Sequence, residues 1–369
     1  PAASIAALAA LARGVVVALD LPSGIRAYDA PVAGLGMPVR ADITLSVAPM
    51  KAELFFPGYR ESAGRIEEIA GVFPVDEEIG VQLLEPDDLH SLLPPLSPDT
   101  HKGNRGALGV YGGAVGTLGA AILAARAGSA AGAGTVTLMV PDELYATAAS
   151  VLSAQMVRPV SAGNGRSFDA LVVGPGLGRD GRASSRVADS WATDLPLVLD
   201  ADALRLIRAR EVRSSGAPLV LTPHPGEFAP LAVLASGMDP EDSAALEEAR
   251  LRCRFDTLMV SRLVARAFGA VVVLKGSTTW LAAPDGRAAV WDGRNPAMAT
   301  GGSGDVLAGL LGGLLARGLD PWDAARAAVI AHGLAGAACA ERLGFFDADA
   351  LPEAAASIVY AGGEHGNQG

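Results

Sequence analysis

Asn295-Pro-Ala-Met-Ala-Thr-Gly-Gly-Ser-Gly-Asp305 places a loop of small residues directly ahead of an apolar run, Val306–Ala316. If that run is helical, several backbone N–H groups at its start lack partners, and the helix dipole adds about half a positive charge there. Gly301, Gly302, Ser303 and Gly304 would let a phosphate approach the backbone closely. Asp305 then stands beside bound negative charge. That is an awkward place for a carboxylate unless it takes a proton from an attacking hydroxyl. The same residues also read as an N-cap, Ser303, followed by an acid that suits the helix dipole, so the loop alone leaves both readings open.

Four other segments carry ligand-friendly chemistry just past short β-branched runs. Lys275-Gly276-Ser277-Thr278-Thr279 follows Val271–Leu274 and offers a point charge for phosphate with neighbouring hydroxyls. Thr222-Pro-His224-Pro-Gly-Glu227 follows Leu219–Leu221, and its two prolines fix the backbone around the histidine. Asp200-Ala-Asp202 follows Leu197–Leu199, and Gly174-Pro-Gly176-Leu-Gly178 follows Ala170–Val173. A fifth strand end, after Leu108–Tyr111, carries Gly112-Gly113 with Gly116, Gly119 and Ala120 close behind. In open α/β sheets ligands bind at such strand ends, so the five ends point to one crevice.

The elements that must position them alternate. Strands are expected also at Val15–Leu19, Ile43–Val47 and Thr135–Val140, and helices at Leu118–Ala131, Asp202–Ala209, Glu241–Phe268 and Ala324–Ala340. This order predicts a mostly parallel sheet covered on both faces. An acidic, proline-rich texture between about Asp76 and Lys102 reads as a linker. Two units are therefore expected, residues 1–80 and 81–369. The first, strand–loop–strand–loop, looks like the closing part of a larger α/β domain.

Composition narrows the function. The 369 residues carry a net charge of −11, which argues against nucleic-acid partners or a basic membrane-binding surface. Gly106 to Ala125 holds no charge over twenty residues, but six are glycine, so strand, loop and buried helix fit better than a membrane span. Cys253 and Cys339 are the only cysteines, and no basic segment leads into an apolar core at the front, so a cytoplasmic protein is expected. Gly176-Leu-Gly178-Arg-Asp-Gly181 matches a dinucleotide fingerprint, yet Arg179 and Asp180 stand where close helix packing is needed. A P-loop motif is absent. His332 reads as a core residue, and His90, His101 and His365 carry no paired spacing for zinc.

Taken in order, His101-Lys102-Gly103, Gly112-Gly113, Gly119-Ala120, Gly174–Gly178, Asp200-Ala-Asp202, Thr222–Glu227, Lys275–Thr279 and Thr300–Asp305 resemble the ADP/ATP-dependent NAD(P)H-hydrate dehydratases of the ribokinase-like superfamily. The pairing of TPHPGE with ATGGSGD is the specific part. That resemblance implies a three-layer αβα sandwich and a lyase that dehydrates (6S)-NADHX or NADPHX at the expense of ADP or ATP, with Mg2+ accompanying the nucleotide. It implies Asp305 as the catalytic base and hydrate contact. Ala120, Gly176 and His224 would line the hydrate site. Lys275, Gly276, Ser277, Thr278, Thr279 and the loop Gly301–Gly304 would hold the nucleotide. Small-molecule substrates and a homo-oligomer are expected, and a small-molecule kinase on the same fold is the alternative.

The front run Val15-Val-Val-Ala-Leu-Asp20-Leu-Pro-Ser23-Gly24 resembles the closing half of NAD(P)H-hydrate epimerase domains. Asp20 would there touch the hydrate and Ser23 would help bind potassium. The family's Asn-Asn-Gly-Gly-Asp loop is absent from this sequence, and Lys51-Ala52-Glu53 departs from the usual Lys-Pro-Gly. No epimerase activity is expected of this chain, although a longer parent protein could carry both activities.

Overall fold

A computed structural model describes residues 11, 13–26, 38–73, 80–95, 97–163, 167–207, 213 and 216–364. Two sheets organise the chain. The first is three-stranded and parallel, with β1 (Val17–Leu19), β2 (Ile43–Val47) and β3 (Arg65–Ile69) side by side. The β3 strand was not legible in the sequence: Arg65, Glu67 and Glu68 make it a charged edge strand with little apolar alternation.

The second sheet has ten strands in the order β4-β13-β12-β11-β10-β9-β8-β5-β6-β7. Along the chain they are β4 (Gln82–Leu83), β5 (Ala107–Tyr111), β6 (Thr135–Val140), β7 (Met156–Pro159), β8 (Ala170–Val173), β9 (Leu197–Leu199), β10 (Leu219–Leu221), β11 (Val271–Leu274), β12 (Thr279–Ala282) and β13 (Ala288–Trp291). Only β12 runs against its neighbours. The expected mostly parallel sheet is therefore present, with a hairpin at one side that the sequence reading did not separate. Part of the expected linker is structural instead. Gln82–Leu83 pairs with β13, and α1 (Asp88–Leu92) buries Leu89 and Leu92. Asp76, His365 and the end of the helix expected over Asp202–Ala209 lie outside the described residues.

Successive side chains of each central strand enter opposite cores, as the period of two requires. Val110 and Val172 face a core shared with α2 (Leu118–Ala130), α9 (Ser303–Ala316), α10 (Pro321–Leu343) and α11 (Leu351–Glu364). Tyr111 and Val173 face the other, shared with α6 (Pro225–Ala235), α7 (Ser243–Phe255) and α8 (Thr257–Phe268). The remaining helices are α3 (Tyr145–Val151), α4 (Gly181–Trp191) and α5 (Asp202–Leu206).

The single helix expected over Glu241–Phe268 is two. At Asp256 the backbone leaves the helical region (φ −143°, ψ 37°), and its buried carboxylate pairs with Arg252 at 2.9 Å. Apolar periodicity continues through the break, which is why it was invisible to a pattern reading.

Helix α9 lies against α2 with the two backbones almost touching. A Cβ on Gly309 would meet the Ala124 carbonyl oxygen at 2.2 Å, and one on Gly313 would meet that of Gly128 at 2.6 Å. These glycines are spacers, and they fix how the starts of the two helices stand to one another.

Candidate active site

Strands β5, β8, β9, β10 and β11 are consecutive neighbours, and all run the same way. Their register aligns Tyr111 with Val173, Val173 with Leu199, and Leu199 with Leu221. The next residues, Gly112, Gly174, Asp200 and Thr222, therefore form a row across the carboxyl end of the sheet. The chain leaves β5 towards β6 on one side and returns as β8 on the other, so the row includes a topological switch point.

Glycine is required in that row by close approach. A Cβ on Gly174, whose φ is +129°, would sit 1.8 Å from the Asp200 carbonyl oxygen. Gly176, at φ +61°, is buried against the Thr117 carbonyl, and Thr117 donates its hydroxyl to the Gly176 carbonyl at 2.8 Å. The loop entering α2, and with it the half-buried Ala120, is thereby tied to the β8 loop. The fingerprint-like Arg179-Asp180 is also explained locally. Arg179 pairs with Asp202 at 2.8 Å, and Asp180 caps α4 through the Ala183 N–H.

Asp200 is fully buried. One of its oxygens accepts from the Lys275 ammonium at 2.6 Å and from the Thr222 hydroxyl at 2.8 Å. Lys275 is thus already paired. Burial alone would lower its pKa, but Asp200 overrides this, with Glu227 and Asp305 adding, so the group stays charged with a raised pKa. The ammonium lies where a Cβ on Gly304 would be only 3.0 Å away, which places it against the start of α9. The Lys275 backbone N–H donates to the Pro223 carbonyl at 2.8 Å, joining this strand end to the His224 loop.

His224 caps α6. Its Nδ1 accepts from the Gly226 N–H at 2.9 Å, while Nε2 lies 3.2 Å from the buried Glu227 carboxylate, which also accepts the His224 backbone N–H at 3.0 Å. The tautomer protonated on Nε2 satisfies both ring contacts. With both nitrogens engaged, the exposed imidazole can offer a ligand its face and carbon edge rather than a mobile proton.

Asp305 falls in the first turn of α9, as expected, but Gly302 and not Ser303 is the N-cap. The Ser303 hydroxyl donates instead to the Met298 carbonyl at 3.2 Å. Burial, foremost, and then the Asp200 charge raise the Asp305 pKa to about 7, with Lys275 opposing and Glu227 and Asp202 adding smaller pushes. His332 reaches this point as well. It is half-buried, and more than core filler: Nε2 donates to the Ser303 carbonyl at 2.8 Å. Burial lowers its pKa to about 4, against the pull of that carbonyl and with the help of the Lys275 charge.

The remaining expected nucleotide residues line the turn between β11 and β12. Gly276 and Ser277 are exposed and Thr279 is half-buried, whereas Thr278 is enclosed and its hydroxyl has no partner among the described residues. Asp20 and Ser23 belong to the small sheet. Asp20, at φ +67°, accepts from Lys51 at 2.5 Å and from the Val47 N–H at 3.2 Å. Ser23 is exposed. An open groove of about 550 Å3, lined by Arg13, Asp42 and Arg65 among others, contains none of the expected site residues. Sequence reasoning missed the Lys275–Asp200 pair, the Glu227 clasp on His224 and the His332 contact. Only the His224…Glu227 spacing, that of a capping box, carried a signal.

A ribokinase-like sheet with a glycine-opened helix and a Lys275–Asp200 ion pair at its switch point defines an α/β site suited to an anionic ligand. Residues 108–358 match the family model described as NAD(P)H-hydrate dehydratase, and the chain belongs to that family. It is 34% identical over 338 residues to the bifunctional NAD(P)H-hydrate repair enzyme of Escherichia coli, covering 89% of this chain and 62% of the relative. The corresponding enzyme of Mycobacterium leprae is 34% identical over 364 residues, covering 97% of this chain and 70% of its own. The chain thus spans about three-fifths of the first of these relatives. Among solved structures it is similar to the ADP/ATP-dependent NAD(P)H-hydrate dehydratase of Bacillus subtilis co-crystallised with ATP/Mg2+, with a TM-score of 0.63, 26% identity, and coverage of 76% of this chain and 99% of that one. No helix among the described residues is long and apolar enough to cross a membrane.

Proposed function

We propose that this chain dehydrates (6S)-NADHX and NADPHX to NADH and NADPH, using ADP or ATP as phosphoryl donor. The observation that carries this is the meeting of three things at the carboxyl end of one sheet: an anion-ready helix start, the ion-paired Lys275 ammonium against it, and the Asp305 carboxyl in the same first turn. Asp305 takes the proton of the ring hydroxyl as its oxygen attacks the terminal phosphorus. The bond to the nucleotide breaks, and AMP or ADP leaves. The amides of Gly301–Gly304 and the Lys275 ammonium stabilise charge on the moving phosphoryl. The ring nitrogen's lone pair then expels phosphate, and loss of a proton from the adjacent ring carbon restores the dihydropyridine. Ala120, Gly176 and the His224 face would seat the hydrate, and Lys275–Thr279 the nucleotide.

A divalent ion would be held by the nucleotide's phosphates, because no three acidic, histidine or cysteine side chains among the described residues form a metal cage. Residues 1–80 as an epimerase remnant, with Asp20 as hydrate contact and Ser23 as potassium ligand, rest on resemblance, as does a bifunctional parent. The test is incubation with NADHX and ADP, in parallel with ATP. Appearance of the NADH absorbance band with stoichiometric AMP and phosphate is expected. A stable phosphorylated product without NADH would mark a kinase instead.

A further inference from the structure

The segment joining β2 to β3 leaves the small sheet and enters the core of the large one. Leu54, Phe56, Tyr59 and Ala63 are fully or almost fully buried there. The fully buried Trp280 donates its indole N–H to the Phe55 carbonyl at 3.2 Å, and the Phe56 ring meets Trp280 edge-on at 5.3 Å. Trp280 is the residue after Thr279. Arg60, also buried, donates Nε to both Asp292 oxygens at 3.0 Å and Nη2 to one of them at 2.6 Å, while Nη1 reaches the Gly64 carbonyl at 2.7 Å. Two residues past Asp292, the Arg294 N–H donates to the Ser277 carbonyl at 3.1 Å.

The Lys275–Thr279 loop is therefore gripped twice from the front unit, once through the residue that follows it and once through the segment hydrogen-bonded across it. A pair between a buried guanidinium and a half-buried carboxylate is a poor source of net stability, but its two-pronged geometry fixes orientation.

We propose that residues 52–63 are part of the nucleotide site, with Arg60 a positioning residue that sets the Lys275–Thr279 loop through Asp292. This rests on the reading of that loop as the nucleotide seat. Arg60→Met is expected to weaken ADP binding, measured by calorimetry, and to raise the nucleotide KM roughly tenfold, while the hydrate KM changes less than about twofold. Asp292→Asn should do the same, and the double variant should be no worse than either single one. By reciprocity, ADP should slow amide exchange across residues 52–63 in the unaltered chain but not in Asp292→Asn. If Arg60→Met does not fold, Trp280→Phe, which removes the indole hydrogen bond together with the volume of the second ring, carries the same expectation for ADP. Unchanged ADP affinity in the folded variants overturns the proposal, as does an equal rise in both KM values. Failure of the unaltered chain to convert NADHX while still binding ADP would count against the dehydratase reading and leave the ADP-affinity test of the strap in force.

Discussion

Asp305 is the residue on which chemistry and titration meet. With its pKa near 7 and its ionised form required as base, kcat/KM for the hydrate should rise with pH through about 7. Groups facing it are Asp200, Asp202, Glu227, Lys275 and, through Ser303, the neutral His332. Asp200→Asn removes a negative neighbour, so the midpoint of that rise should move to lower pH; a midpoint that stays put would remove Asp200 from the site's electrostatics. Asp305→Asn should cost about 10²–10⁴ in turnover with ADP affinity largely kept, measured by NADH formation and calorimetry. Stability runs opposite to activity for Asp305 and along with it for His332. Asp305 binds its proton more tightly folded than unfolded, so its contribution is present at acidic pH and lost as pH rises through about 7. His332 binds its proton less tightly folded, so its contribution is held above the ordinary value of 6.5 and lost as pH falls towards about 4. The Tm deficit of His332→Gln should therefore shrink between pH 7 and pH 5. At this scale the acid, the lysine and the histidine were legible in the sequence because each stands in a rigid motif. Their partners were not, because Asp200 and Lys275, 75 residues apart in sequence, meet only once β9 and β11 flank β10 in the folded sheet.

At the scale of elements, the central strands were readable nearly to the residue, since continuous β-branched runs buried on both faces leave little else to be. The β12–β13 hairpin was not, because Trp280-Leu-Ala-Ala and Ala288-Ala-Val-Trp291 are short and alanine-rich and offer no alternation. The glycines of α9 set an interhelical distance, which their place in an apolar run does not announce. Gly309→Ala should cost at least about 1–3 kcal/mol by overpacking, read from the urea midpoint. Gly301→Ala, where added volume meets nothing within 4 Å, should leave the midpoint nearly unchanged.

Across the whole molecule, a net charge of −11 opposes the two polyanionic ligands proposed above, so their binding would rely on the local cluster rather than on long-range attraction. Raising an inert salt from about 10 to about 150 mM should therefore increase kcat/KM about twofold, where an enzyme with a basic funnel would lose rate. The union of the two sheets was hidden for a different reason. An acidic, proline-rich stretch reads as a spacer whatever the flanking units do, and nothing in the sequence announces that Phe55, Phe56 and Arg60 cross over before it. The near-contact of α2 and α9 has one more consequence. The proposed Ala120 seat and the proposed phosphoryl seat ride on a single stiff pair of rods, so the gap between them acts as a fixed gauge. Any opening for substrate entry must come from the surrounding loops, and an alcohol held too far from its donor cannot be brought into range by sliding one helix along the other.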